Sequence, residues 1–362
     1  MRAVVSVLAV VLMAGSVPAQ EVERTVSLVD TLGRGCAPTC LGWNPATSKL
    51  YAAGYGGWVV AVDVRTGAVT SYIPAGSNDV GGILCSPEDN RVYWTNSDSS
   101  TVSVANGATD RLVTRLDVGY APGAIARDPA RNMVYAACYF GEVAVIDGGR
   151  EQVTDRIRVG REPAALCFNP RDGRLWCANS GSSNVTAIDC ATDSVLATVA
   201  VGRGPMALAC GPADGRVYCA NNGCGSTDST LSVINPADCR VVSTAQVNWW
   251  PTALCYDSVG NRMFCVSDCS RRNLAMIDCA GDSVVGKVTV RGAPCAVACD
   301  PGSNRVYCVS VDSSCVTVVD GATNEVVATV AVGAGPTAVL YVPELDRVVV
   351  ANTRDASISV IR

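Results

Sequence analysis

Two adjacent indoles, Trp249 and Trp250, are the side chains of this sequence best equipped for chemistry, and that chemistry is recognition. An indole offers a wide apolar face and one N–H donor, so it buries area and orients a partner without breaking a bond. Arg161, Arg203, Arg291, Arg271, Arg272, Tyr120 and Trp58 share that character. Arginine and aromatic side chains combine contact area with directed hydrogen bonds, and binding surfaces depend on them. Bond-making chemistry is poorly provided for. Histidine is absent, which removes the commonest general acid–base group, metal ligand and triad member. No catalytic residue and no cofactor is expected.

Metal sites are not expected either. The recurring aspartates Asp63, Asp147, Asp189, Asp278 and Asp320 stand where a carboxylate bonds backbone N–H groups of a turn. No loop carries the alternating acidic spacing of a calcium site. Cys36 and Cys40, Cys265 and Cys269, and Cys295 and Cys299 have spacings that a zinc site tolerates, but no second half of a ligand set accompanies them.

Fifteen of the nineteen cysteines lie between Gly160 and Val332. If hairpins there pair symmetrically about their turns, Cys210 falls opposite Cys219 and Cys299 opposite Cys308. Each such bridge would contribute at most about 3 kcal/mol on the chain-entropy model. Cys167 and Cys177 are one position out of that register and point to opposite faces. The alternative is that many of these thiols stay reduced as small buried apolar groups.

The elements that position these residues come from a repeat. A segment of the form P-x-A-L-x-x-x-P-x-x-x-R-V-Y recurs eight times, with its tyrosine-like position at Tyr51, Tyr93, Tyr135, Trp176, Tyr218, Phe264, Tyr307 and Val349, a spacing close to 42 residues. Within the repeat from Gly202 to Val247, Met206–Cys210, Arg216–Ala220, Leu231–Ile234 and Val241–Val247 read as four short strands. Turn residues such as Pro212 to Gly215 and Asn235 to Asp238 separate them. Four strands per repeat make one propeller blade.

The last repeat stops after its third strand. Val26, Leu28, Leu32 and Gly33 can be laid over Val326, Ala328, Val332 and Gly333, so an N-terminal strand is expected to complete the last blade and close the ring. Closure leaves no open end to the array of blades. The expected fold is all-β: an eight-bladed β-propeller of four-stranded antiparallel blades, with seven blades as the fallback, forming one domain over residues 20–362.

Residues 1–19 carry an early positive charge at Arg2, an apolar run from Ala3 to Ala14 and small residues up to Ala19. This is the pattern of a secretory signal peptide, and the run is shorter than the roughly 20 residues of a membrane-spanning helix. A secreted, periplasmic or cell-surface protein with disulfide-permissive surroundings and no membrane span is expected. A formal net charge of -5 with 17% charged residues does not fit a general nucleic-acid binder.

Arg216-Val-Tyr-Cys-Ala-Asn221, Arg174-Leu-Trp-Cys-Ala-Asn179, the triplets ending at Asp147 and Asp320, and the stretch from Val326 to Gly333 resemble the YVTN-type β-propeller repeats of surface-layer and secreted bacterial proteins. The resemblance covers essentially the whole chain after the leader. It implies cell-surface or binding roles and is poor in information on activity.

In a propeller, the inter-blade connections and the loops between second and third strands emerge on one face. Arg34, Asp79, Tyr120, Arg161, Glu162, Arg203, Trp249, Trp250 and Arg291 belong to the connections. Tyr55, Trp58, Tyr139, Phe140, Arg271, Arg272 and Arg354 belong to the loops. The expectation is a monomeric binding protein whose loop-rich face contacts a protein, glycan or cell-envelope component. In the bland alternative these side chains only cover blade ends. Other functional classes consistent with the sequence are a propeller enzyme without histidine chemistry, lactonase-like or quinoprotein-like, and a structural surface-coat subunit. The arginines at the turn between first and second strands (Arg91, Arg174, Arg216, Arg262, Arg305, Arg347) lie on the opposite face and read as fold elements.

Overall fold

A computed structural model describes residues 20–211, 214–223, 229–247, 249–267 and 272–362; residues 1–19, read above as a signal peptide, Arg271 and Cys269 fall outside these. Eight four-stranded antiparallel sheets form the blades of a propeller. Blades 1 to 7 span residues 37–74, 80–117, 122–158, 163–200, 205–246, 251–289 and 294–331. The strands of each are called a to d from the central channel outward. The eighth blade takes strands a to c from residues 336–361 and strand d from Val22–Ser27.

Sequence composition sets the role of each strand. Strand c carries runs such as Val143-Ala144-Val145-Ile146, buried on every residue because a neighbouring blade covers each face. Strand d lies on the rim and alternates, as in Arg111–Asp117, where every second residue is exposed. Seven of the eight a strands contain the repeat proline at or next to their start (Pro38, Pro122, Pro163, Pro205, Pro251, Pro294, Pro336), where its missing N–H breaks no ladder. The bulge in the pairing of strands c and d, for example between Val145 and Ile146, adds the twist that lets flat-faced sheets stack in a ring.

The core is a set of clusters between adjacent blades. One joins Tyr93, Val102 and Val104 of blade 2 to Val134, Ala136 and Ile146 of blade 3. The ring closes through another, in which Val26, Leu28, Val349 and Ile358 of blade 8 pack with Leu50, Val60 and Val62 of blade 1.

The closing strand is present, in a different register from the sequence alignment. Val26 pairs with Ile358 and Ser27 with Ser357, which makes Val26 the counterpart of Val330, not of Val326. Leu28, which donates its N–H to Ala356, then matches Val332, which bonds Ser314 in the same way. The four-residue difference is taken up by an extra turn after Leu28, where the Asp30 carboxylate accepts the N–H groups of Leu32 and Arg34. Leu32 is exposed at that turn, while Leu28 fills the core.

The face bearing the a–b turns is built as a clamp. The Arg91 guanidinium donates to Glu151 on the c–d turn of the next blade, Arg262 donates to Gly321 and Asn324, and Arg216 pairs with Asp282. The repeat tyrosine joins in: the Tyr51 hydroxyl donates to Asp110 at 2.7 Å, beside the Lys49–Asp110 ion pair. These side chains hold blade to blade. The five repeat aspartates accept turn N–H groups, as Asp63 does from Arg65 and Thr66 and Asp320 from Ala322 and Thr323.

Candidate functional site

The d–a connections and b–c loops do share one face, and backbone hydrogen bonds zip them together. Ser180 and Gly181 donate to Glu162 and Arg161, Asn222 and Gly223 to Gly204 and Arg203, and Val311 to Ala293. In blades 2, 3, 4, 5, 7 and 8 the b–c loop is thereby pinned to the connection that enters its own blade.

The best-formed constellation lies at blade 3. Tyr120 enters on the connection, and Tyr139 and Phe140 form the b–c loop. The Tyr120 and Phe140 rings stack at a centroid distance of 4.7 Å with planes 18° apart. Tyr139 meets both edge-on, at 6.3 Å and 5.7 Å. All three are open to solvent, with relative exposures of 57%, 48% and 71% for Tyr120, Tyr139 and Phe140. Apolar rings of this size are normally removed from water, so a cluster left outside is available to a partner.

The backbone holds the cluster rigidly. Tyr139 donates its N–H to the Tyr120 carbonyl and accepts the Glu162 N–H, tying its loop to the connections on both sides. Gly141 follows at φ +89°, where a Cβ would sit 2.8 Å from the Gly160 carbonyl oxygen, so only glycine lets the loop turn here. The Tyr139 hydroxyl donates to the Glu162 carboxylate at 3.4 Å.

Trp249 and Trp250 stand on the connection into blade 6, 37% and 43% exposed. Trp250 has φ +56°. Blades 3, 4, 5 and 8 place Ala121, Glu162, Gly204 and Gly335, all at positive φ, at the same point before the strand-a proline, so the turn accepts several residue types and does not ask for an indole. The backbone N–H of Trp250 donates to the Ser229 hydroxyl. Blades 4 and 5 stand between the tryptophans and the Tyr120 cluster.

The remaining expected residues are distributed round the face. Arg161 is exposed, with its guanidinium on the Gly181 carbonyl of its own loop. Arg203, Arg272 and Arg291 are exposed on the connection into blade 5, the b–c loop of blade 6 and the connection into blade 7. Trp58 is half-buried at the start of a c strand, facing Pro74. Arg271 lies outside the described residues. The structure thus brings Tyr120 together with Tyr139 and Phe140. That meeting follows from two loops lying side by side, which the spacing of a single repeat does not express.

Asp79 has its carboxyl raised above the ordinary range by partial burial and by Asp98, whereas the Ala293 N–H holds Asp312 below it. Among the described residues, no three Cys, Asp or Glu side chains are grouped to hold a metal ion. No described helix is long and apolar enough to cross a membrane.

The cysteines pair differently from the hairpin expectation. Cys210 faces Val217 and Cys219 faces Leu208; Cys299 faces Val306 and Cys308 faces Val297. The hairpin turns are centred one residue earlier than the symmetric pairing assumed, so the cysteines are diagonal, not opposite, and neither bridge forms. Cys299 instead makes a disulfide with Cys255 on strand a of the preceding blade. Cys167 and Cys177 do lie on opposite faces, paired with Trp176 and Leu166.

No protein-family model and no curated protein sequence matches the chain. Its likeness is to solved propellers. A chain of Kuenenia stuttgartiensis hydrazine synthase aligns with TM-score 0.64 and 21% identity, over 79% of this chain and 97% of that one. Sqt1 of Saccharomyces cerevisiae aligns with TM-score 0.77 and 14% identity, over 89% and 95%. The computationally designed Ika8 protein aligns with TM-score 0.74 and 18% identity, over 92% and 99%. At these identities the shared property is the fold.

Proposed function

We propose that this chain is an exported propeller of the YVTN type whose work is binding, and that its loop-rich face engages a protein, glycan or other cell-envelope component. The observation that carries this reading is the solvent-facing cluster of Tyr120, Tyr139 and Phe140. Three rings held in mutual contact by a hydrogen-bonded backbone present a pre-ordered apolar platform with hydroxyls at its edge. A surface already ordered loses little entropy on association. The tryptophans at the entry to blade 6 supply a second anchor on the same face, placed where the turn itself does not require an indole.

Export rests on the leader pattern of residues 1–19 and suits the Cys255–Cys299 disulfide, since such bonds persist in oxidising compartments. Amino-terminal sequencing of the protein recovered outside the cytoplasm tests it; a start near Gln20 is expected, and a retained Met1 overturns export. The binding reading is tested by probing the purified protein against glycan and envelope-protein arrays, side by side with Tyr120→Ala/Phe140→Ala and Trp249→Ala/Trp250→Ala. Loss of the wild-type signals in the first variant supports the platform. Equal signals in all three proteins, or none in the wild type, would remove it.

A further inference from the structure

The central a strands contain a second pair of cysteines in the same relationship as the disulfide-bonded pair. Cys255 lies opposite Phe264 and Cys167 opposite Trp176, both at the tyrosine-like position of the repeat. Cys299 lies opposite Val306 and Cys210 opposite Val217, one residue earlier. Cys167 and Cys210 therefore occupy on blades 4 and 5 the places that Cys255 and Cys299 occupy on blades 6 and 7. Their sulfur atoms are 2.8 Å apart.

The equivalent places at the other blade junctions show why this is a meeting point. The first position points toward the following blade and the second back toward the preceding one. Ala126 packs in one cluster with Phe168, Ala209 with Tyr256, and Leu340 with Trp43. Gly42 faces Cys85, whose sulfur would lie 3.3 Å from a Cβ at Gly42. At three of these four junctions the first residue is small, alanine meeting Phe168 and Tyr256 and glycine meeting Cys85. A cysteine stands at the first position only where the second is also cysteine.

We propose that Cys167 and Cys210 form a second inter-blade disulfide, so that blades 4 and 5 are cross-linked as blades 6 and 7 are. A low-molecular-weight disulfide of the exported environment supplies the oxidising equivalents. One cysteine thiolate attacks a sulfur of that disulfide, forming a mixed disulfide and releasing one thiol. The second cysteine thiolate then displaces the other half as a second thiol, as the Cys167–Cys210 bond forms. Two protons and two electrons leave the pair, and the oxidant is reduced to two thiols.

The test is peptide mapping of the full chain without reduction. The protein is equilibrated with excess oxidised glutathione, unfolded in an alkylating agent, digested and analysed by mass spectrometry. A linked peptide containing Cys167 and Cys210 is expected in most molecules, together with the Cys255–Cys299 peptide, and Cys210→Ser should leave Cys167 alkylated. Recovery of Cys167 and Cys210 as separately alkylated peptides from the oxidised protein, or either of them bridged to another cysteine, overturns the proposal. Because the reading comes from wild-type protein, it does not depend on any variant folding.

Discussion

The ring of Tyr120 lies flat against that of Phe140, 4.7 Å between centroids, with neither ring drawn into the core. Stacked aromatic pairs contribute about 0.5–1.5 kcal/mol, a small stabilisation when both rings remain in water. Tyr120→Ala/Phe140→Ala should therefore lower folding stability by no more than about 1.5 kcal/mol in denaturant titration. Affinity for a captured partner should fall by about 2 kcal/mol or more, the loss typical of a binding hot spot. A variant that melts far earlier would mean that the rings brace blade 3 instead of offering it to a partner.

Trp250 allows a sharper separation of fold from function. At φ +56° an indole-bearing residue occupies a conformation that Gly204 and Gly335 adopt at equivalent points. A left-handed residue costs roughly 1–2 kcal/mol, while glycine loses more entropy on folding. The two effects oppose, so Trp250→Gly should leave stability within about 1 kcal/mol of wild type. If the indole is an anchor, binding to an array partner drops in the same protein. Loss of stability without loss of binding would assign the side chain to blade packing.

Closure should respond to acid. Arg347 donates to Glu23 at 2.6 Å and Arg24 to its other oxygen, and the Arg347 hydrogen bond, then that of Arg24, holds the Glu23 carboxyl below its ordinary value of 4.5. A carboxyl with a depressed folded-state pKa stabilises the fold above its unfolded pKa. That contribution disappears as pH falls from about 4.5 through the folded value. Its size is within about 1 kcal/mol, because the pair is partly exposed. Thermal melts from pH 7 to pH 3 should show a smaller acid loss for Glu23→Gln than for wild type. Identical losses would detach closure from this pair.

The Cys255–Cys299 bond closes a loop over a sequence separation of 44 residues, which the chain-entropy model values at up to about 4 kcal/mol. Cys255→Ala/Cys299→Ala should unfold at lower denaturant than wild type under oxidising conditions. The gap should narrow when both are measured with reductant. A gap unchanged by reductant would mean that the loss comes from packing and not from the cross-link.

Strand count, blade count and the closing strand were legible because each depends on local pattern: turn residues, alternation and the length of one repeat. The register of the closing strand was not, since the turn at Asp30 inserts residues that match nothing in the other repeats. The arginine and aspartate columns were legible as fold elements because a column repeated on most blades serves the blades themselves. The Tyr120 platform was harder. Tyr139 and Phe140 were visible as loop residues, but their contact with Tyr120 arises from two loops brought together by the fold. The Cys255–Cys299 disulfide was missed for the same reason. Bridges were sought within a hairpin, whereas the partner of Cys255 lies one whole repeat away, and the signal was the residue types that face each other between adjacent repeats.

The same facing arrangement leads to a constructive test at blades 1 and 2. Cys85 occupies the place of Cys210 and Cys299, and Gly42 the place of Cys167 and Cys255. Gly42 has no left-handed φ, and the nearest atom to a new Cβ would be the Cys85 sulfur itself. In Gly42→Cys the added sulfur has to share that space with Cys85, and a covalent bond between the two relieves the crowding. Under oxidised glutathione the variant should form a cross-link between the introduced thiol and Cys85, detected as a linked peptide, and should unfold at higher denaturant when oxidised than when reduced. Two separately alkylated cysteines would show that facing positions at a blade junction do not by themselves bring thiols within bonding reach.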